Sequence, residues 1–240
     1  MKIRFLCLND CFIYEQLQLE EAILRTSEDN WILCNMGSAG AIVMGLSQKA
    51  DEHVNDYNTL PLIQRFSGGG CVVVDQNTFF LTFIFNKHEL AFKPYPEPMY
   101  RYLLAFLRTM LNLPIELRET DYVIKDKKII GNAQSITKNK FLHHMTLLYD
   151  LDPQKMSLLK QPNKAPLYRN NRSHMEFLCT LKENGITQKT LFEQCSLTVM
   201  SHFDLVPTSF EQAKAYISKE HRKSTRLLNV STTSDLISNV

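Results

Sequence analysis

The sequence predicts an α+β domain in which a largely antiparallel sheet is packed with helices. Three observations carry this reading. Short runs rich in β-branched and aromatic residues, punctuated by glycine, proline and asparagine, recur through the first 150 residues, the pattern expected of strands. Residues 13–25 and 99–111 repeat apolar side chains at helical spacing,. Two more helical segments come late, at 188–203 and 209–219, and this order of strands and then helices suits helices laid against one sheet.

Residues 2–8 read as a strand and 13–25 as a helix with Leu17, Ala22, Ile23 and Leu24 near one face. Residues 31–35 and 41–44 read as strands paired around a Gly/Ser turn, and 71–74 with 79–85 as a hairpin around Gln76, Asn77 and Thr78,. After the proline-rich breaker at 94–98, Met99, Leu103, Phe106, Leu107, Met110 and Leu111 recur as a helix that ends before Pro114,. Next come a strand from Asp121, a turn at 125–127, a second strand carrying Lys128, a break at Gly131 and a third strand from about Phe141,. The Ser/Thr-rich stretch from Ser224 onward has little to bury and is expected to be loosely ordered,. Residues 1–223 are thus expected to form one domain and 224–240 a tail, with no internal repeat or interdomain linker.

Composition narrows the class. A chain of 240 residues, 44% hydrophobic, can bury roughly 70–75% of its unfolded surface in a single core. A net charge of +2 gives no global field for nucleic acid, and no basic block marks a membrane surface. The apolar run at 1–8 is too short for a signal peptide, and no run in the chain is long enough for a membrane span, so a cytoplasmic location is the expectation. The six cysteines (Cys7, Cys11, Cys34, Cys71, Cys179, Cys195) are widely spaced apart from one C-x3-C pair, and they read as reduced core thiols.

Two segments carry chemistry. The first is QRFSGGGCVVVD at 64–75. Three adjacent glycines are costly to order, and one reason for them is a ligand lying so close to the backbone that a Cβ would clash, with successive N–H groups aimed at an anion. Arg65 supplies a matching charge; a tight loop before a strand is the plain alternative. The second is DYVIKDKKIIGNAQ at 121–134, followed by FLHHMTLL at 141–148. A lysine held on a strand beside a glycine-lined anion site can meet a phosphate or carboxylate as a point charge.

Together these blocks resemble the lipoate-protein ligase family, whose catalytic domain carries R-x-S-G-G-G, N-D, G-K-K-I-x-G-x-A-Q and H-H-G-T-L segments in this order. The resemblance extends upstream to residues 19–24, 43–48 and 52–55 and covers roughly 10–180. It implies the fold shared by the catalytic domains of biotin and lipoate ligases, related to class II aminoacyl-tRNA synthetases. It also implies the reaction: ATP activates lipoate, or octanoate, to an acyl adenylate, which a lysine of a lipoyl carrier domain then opens. By this resemblance Arg65, Gly70, Cys71, Val72, Val73 and Lys128 bind ATP or the adenylate. Ser67, Gly68, Gly69, His144 and Lys128 bind lipoate, Lys128 is catalytic, and Asp121 helps hold Mg2+. The G-K-K-I register selects Lys128 over Lys127. Implied partners are the lipoyl domains of 2-oxoacid dehydrogenase E2 subunits, the glycine cleavage H protein, and a separate accessory subunit, since the small C-terminal domain of many such ligases is expected to be absent.

The chain departs from the family pattern at Gln64, Thr120, Ser135 and Met145, and these changes bear on the substrate. His143 and His144 face opposite sides of a strand, so at most one lines a pocket, either as a base for the incoming lysine or as a wall of the acyl tunnel. The segment 164–174, with Tyr168, Arg169 and Arg172, reads as a solvated loop or as a lid over the adenylate. An octanoyl or lipoyl transferase needs a nucleophilic cysteine that neither family position supplies. A non-catalytic carrier-binding subunit is a further alternative, opposed by the retained Arg65, Gly70 and Lys128.

Overall fold

The computed structural model describes residues 1–240 except 57, 163 and 229–240. Strand β1 (Lys2–Asn9) leads into helix α1 (Ile13–Thr26), followed by β2 (Trp31–Met36) and β3 (Ala41–Met44). A one-turn helix, α2 (Ala50–His53), precedes β4 (Leu62–Gln64), β5 (Cys71–Val74) and β6 (Thr78–Asn86). Helix α3 (Pro96–Leu111) then leads to β7 (Glu116–Arg118), β8 (Asp121–Ile124), β9 (Lys127–Ile136) and β10 (Lys140–Leu148). The short helices α4 (Pro153–Met156) and α5 (His174–Phe177) precede α6 (Gln188–His202), β11 (Asp204–Pro207), α7 (Phe210–Lys214) and β12 (Arg226–Leu227).

The strands form an eight-stranded sheet, β11-β1-β2-β6-β10-β9-β8-β7, and a four-stranded sheet, β12-β4-β3-β5. The large sheet is antiparallel except around β1, which runs parallel to β2 and β11. One core joins the large sheet to α3 and α6 through Leu103, Phe106, Leu107, Leu191 and Val199. A second joins its other face to α1 and the small sheet through Leu17, Leu19, Ile23, Val43, Ile63 and Val74. Removing each such leucine or isoleucine from water contributes about 1.5–3 kcal/mol. Helix α3 follows its sequence signals: prolines in its first turn suit missing intrahelical donors, and Asn112, at φ 50°, closes it in the left-handed conformation two residues before Pro114,. Among the described residues no helix is long and apolar enough to cross a membrane.

The α+β class is as expected, but the pairing differs from the sequence expectation at several places. The strands at 31–36 and 41–44 do not pair: β2 lies between β1 and β6 in the large sheet, while β3 pairs with β4 and β5 in the small one. Gly37, at φ 78°, turns the chain between the sheets. Nor do 71–74 and 79–85 form a hairpin. The Asp75 carboxylate caps the turn through the Asn77 amide at 2.8 Å, but all nine residues of β6 are buried and that strand sits centrally between β2 and β10. Turn chemistry is local, whereas the choice of partner is set by which sheet can bury the strand's two faces. Gly131 does not break β9, which continues to Ile136; a Cβ there would lie 2.5 Å from Thr146 Oγ1, so the glycine admits its cross-strand neighbour. The helix at 209–219 is shorter than expected and ends at Lys214.

The expected loose tail is also corrected at its start. Ser224 and Thr225 are buried, and the Glu21 carboxylate accepts both of their amides and the Thr225 hydroxyl at 2.9 Å. β12 then pairs antiparallel with β4. A buried anion offering fixed acceptors orders a Ser/Thr segment that has little apolar surface to bury. Residues 229–240 lie outside the described residues.

Candidate active site

Strand alternation sets the site. On β10, His144 and Thr146 face α1 and the small sheet, while His143 and Met145 face α3,. His143 is fully buried edge-on against Tyr100 at 5.3 Å, its Nδ1 2.9 Å from Gln134 Nε2. Burial, with His144 nearby, pushes its pKa down to about 3, so the ring is neutral,. Met145 packs in the α3 core and is also among the residues that line the pocket.

Lys128 reaches the site because of a β-bulge. Val123 pairs with Lys128 and Tyr122 with Ile130, which leaves Ile129 as an extra residue. Tyr122, Ile129 and Ile130 all point into the α3 core. In a regular strand Lys128 would share the face of Ile130; the extra residue moves it to the opposite face, alongside Asp121. Lys128 Nζ lies 2.7 Å from Asp121 Oδ1, and the Tyr168 hydroxyl donates to Asp121 Oδ2 at 2.8 Å. Burial, with the negative charge of Asp121, keeps Tyr168 protonated well above its ordinary range. Arg118 stacks over the Tyr168 ring at 4.6 Å, and Arg172 pairs with Asp126 at 2.8 Å. The 164–174 segment is thereby docked beside Lys128.

The glycine loop is held from below. Arg65 is buried, and its guanidinium donates to the carbonyls of Gly68 at 2.8 Å, Gly70 at 3.0 Å and Val43 at 3.3 Å, and to Ser67 Oγ at 3.0 Å. The fork is turned inward and braces the loop, with four acceptors around it, and Arg65 also lines the pocket. Burial lowers its pKa to about 10, opposed by Cys71 and Glu20, so it stays cationic at neutral pH. The amides of Gly45 and Leu46 fasten the loop to Gly70 and Ser67 carbonyls at 3.0 and 2.9 Å. Gly69 takes φ 96°, and a Cβ there would lie 2.7 Å from Arg65 Nη2, whereas Gly68 and Gly70 face open space. Among the described residues the amides of Gly68, Gly69 and Gly70 donate to no protein group, which leaves them available to a ligand.

Alternation also divides the next strand. Val72 and Val74 line the pocket, while the side chains of Cys71 and Val73 pack against the cluster of Ile42, Met44 and Leu62. Burial raises the Cys71 thiol to about 12, with Arg65 opposing, and leaves it a packing residue,.

A pocket of about 50 Å³ opens between α1, the small sheet and the β6-β10-β9 face. Ile13, Leu17, Val43, Val72, Val74 and Phe80 make it mostly apolar, and Glu20, Arg65, Thr82 and His144 add a polar wall. Lys128 and Asp121 stand apart from this lining, farther along β9 and β8. Glu20 was not singled out from the sequence. It accepts from Gln16 Nε2 and Thr82 Oγ1, both at 2.7 Å, and its other oxygen lies 2.9 Å from His144 Nδ1. His144 Nε2 in turn lies 2.8 Å from Ser67 Oγ. The signal was available: Ile13, Gln16, Leu17 and Glu20 are spaced i, i+3, i+4 and i+7, which puts a carboxylate on the apolar stripe of α1,.

For Mg2+, the donor set near Lys128 is thin. Asp121 brings one carboxylate already engaged by Lys128 and Tyr168, and the described residues hold no group of three or more His, Cys, Asp or Glu side chains able to bind a metal. This fits only an ion that draws most of its ligands from phosphate and water.

The model of the lipoyl protein ligase A/B catalytic domain matches residues 13–199. The chain is 28% identical over 241 residues to "Inactive lipoate--protein ligase 2" of Plasmodium falciparum, covering 74% of this chain and 63% of that relative's length. Among solved structures it is similar to a bi-partite lipoate protein ligase from Thermoplasma acidophilum, described with its E2 lipoyl domain (TM-score 0.74, 20% identity, 90% and 91% of the two chains). It is also similar to a lipoate-protein ligase A bound with ATP (TM-score 0.73, 20% identity, 90% and 93%). At these identities the structures establish the fold, and the matched family model establishes the kinship: the chain belongs to the lipoyl protein ligase A/B catalytic-domain family.

Proposed function

We propose that the chain is a lipoate-protein ligase that joins an activated lipoyl or octanoyl group to a lysine of a lipoyl carrier domain. The observation that carries this reading is the placement, by a β-bulge, of Lys128 on the face shared by the free glycine-loop amides and an apolar pocket. Lys128 and the amides of Gly68, Gly69 and Gly70 would stabilise the negative charge that builds on the phosphate as the acyl carbonyl is attacked. The pocket would hold the acyl chain, and the docked 164–174 segment would exclude water from the anhydride. Asp121, with phosphate oxygens, would hold a magnesium ion when ATP is bound.

A second reading, transfer from an adenylate made elsewhere, has two supports. The Arg65 guanidinium is already engaged by the Gly68 and Gly70 carbonyls. The Plasmodium relative is named as an inactive ligase.

The deciding experiment incubates the purified chain with a lipoyl domain and either ATP, Mg2+ and lipoate, or synthetic lipoyl adenylate. Intact mass of the carrier is the readout. Gain of lipoyl in both arms supports the complete ligase, and gain only with the adenylate supports the second reading. No gain in either arm sinks both and favours a non-catalytic, carrier-binding subunit.

A further inference from the structure

Ser67, His144 and Glu20 form a hydrogen-bonded chain that the proposed ligase reaction does not use. Ser67 Oγ lies 2.8 Å from His144 Nε2, and His144 Nδ1 lies 2.9 Å from Glu20 Oε2. The donors can be assigned. Arg65 Nε–H occupies one side of Ser67 Oγ at 3.0 Å, and Glu20 accepts from Thr82 and Gln16. When His144 Nδ1–H donates to the Glu20 carboxylate, its Nε2 is left to accept the Ser67 proton,. This is the arrangement of a hydroxyl nucleophile, an imidazole base and a carboxylate that fixes the tautomer, recognised by roles rather than by fold. The hydroxyl sits between two side chains that line the pocket, Arg65 and His144, and it is followed by three glycine amides that donate to no described protein group.

We propose that Ser67 is a latent nucleophile able to take up an activated acyl group as an ester. This rests on the reading that the pocket receives the acyl group of an adenylate. Ser67 Oγ adds to the carbonyl of the acyl–phosphate anhydride while its proton passes to His144 Nε2. The C–O bond to phosphate breaks and AMP leaves with the electron pair. Arg65, donating to Ser67 Oγ, favours the oxygen anion there,. In the second step an amine, or water, attacks the ester; the Ser67 oxygen leaves and recovers its proton from His144. The sum is acyl adenylate plus amine giving amide, AMP and a proton. Glu20 acts through His144 and is a positioning residue.

The test mixes the full chain with synthetic octanoyl adenylate, without carrier, quenches in acid, and maps the octanoylated peptide; thermal melting in the same solution reports binding. The expected result is a rise in melting temperature together with one hydroxylamine-labile octanoyl group on the Ser67 peptide. Ser67→Cys, which keeps an acceptor for Arg65, should carry the group as a thioester. Glu20→Gln should slow acylation on the order of 10²- to 10⁴-fold while the adenylate still raises the melting temperature. His144→Ala should slow it similarly, with partial recovery on adding imidazole, which a purely structural role would not give. A raised melting temperature with no ester, or an octanoyl group found only on Lys128 or another residue, overturns the proposal and leaves the reading of the pocket intact. Absence of any thermal shift overturns both.

Discussion

At the scale of single residues, neighbours in the sequence have unlike tasks. Lys128 and Lys127 are adjacent, but the pairing of Val123 with Lys128 and of Ile124 with Lys127 sends them to opposite faces. Lys128→Ala should lower carrier acylation by on the order of 10²- to 10³-fold, the typical effect of removing one preorganised charge from a developing anion. Lys127→Ala should change it by less than about tenfold, and equal losses in a side-by-side rate assay would remove Lys128 from its role. The glycines separate in the same way. Gly69→Ala forces a left-handed φ on a residue with a Cβ and drives it against the Arg65 fork, so it should melt early. Gly70→Ala enters open space and should leave the melt within about 1 kcal/mol while weakening adenylate binding measured by titration calorimetry. Arg65→Lys loses a planar fork that bridges three carbonyls and should destabilise the loop by about 1–3 kcal/mol in a denaturant melt.

At the scale of elements, the bulge in β9 and the strap at 224–227 are the parts whose effects reach the site. Deleting Ile129 would make the Val123–Lys128 and Tyr122–Ile130 pairs consecutive, so Lys128 would keep the face opposite the α3 core without the bulge,. The deletion variant is expected to retain the carrier acylation that Lys128→Ala loses while keeping its sheet signal in circular dichroism. The strap depends on Glu21. Burial works to raise the pKa of that carboxyl, but the amides of Thr225 and Ser224, the Thr225 hydroxyl and Arg25 together outweigh it and hold the pKa below its ordinary 4.5. A carboxyl with a lowered folded-state pKa stabilises the fold above its unfolded pKa and loses that contribution as pH falls through the folded one. Wild type should therefore lose stability relative to Glu21→Gln as pH drops below about 4.5,. At neutral pH the substitution should cost about 1–3 kcal/mol, checked by urea melts at several pH values. The same helix carries Glu20 against His144 and Glu21 against the strap, so α1 ties the C-terminal segment to the pocket wall.

At the scale of the whole molecule, the pocket lies where the large sheet, α1 and the small sheet meet, so no single element forms it. A ligand seated there touches all three and should stabilise the fold as a unit. A non-reactive acyl adenylate analogue at about 100 times its Kd contributes about 2.7 kcal/mol, which for a domain of this size raises Tm by roughly 5–10 °C. Calorimetry with and without the analogue checks this, and an unchanged Tm at saturation would mean that the pocket is not its site.

The sequence by itself determined most of the elements and the family resemblance, because helical period, strand alternation, turn residues and ordered motifs are all local. It also selected Lys128 over Lys127 and limited the pocket to one of His143 and His144. Only the tertiary structure decided which sheet receives each strand, since β2 and β6 needed partners on both sides and found them across the chain. It likewise turned Arg65 inward and assembled Ser67, His144 and Glu20 from residues 47 to 124 positions apart in pairs. Those outcomes depend on long-range packing and on the requirement that buried donors and acceptors find one another, which no short window of sequence contains.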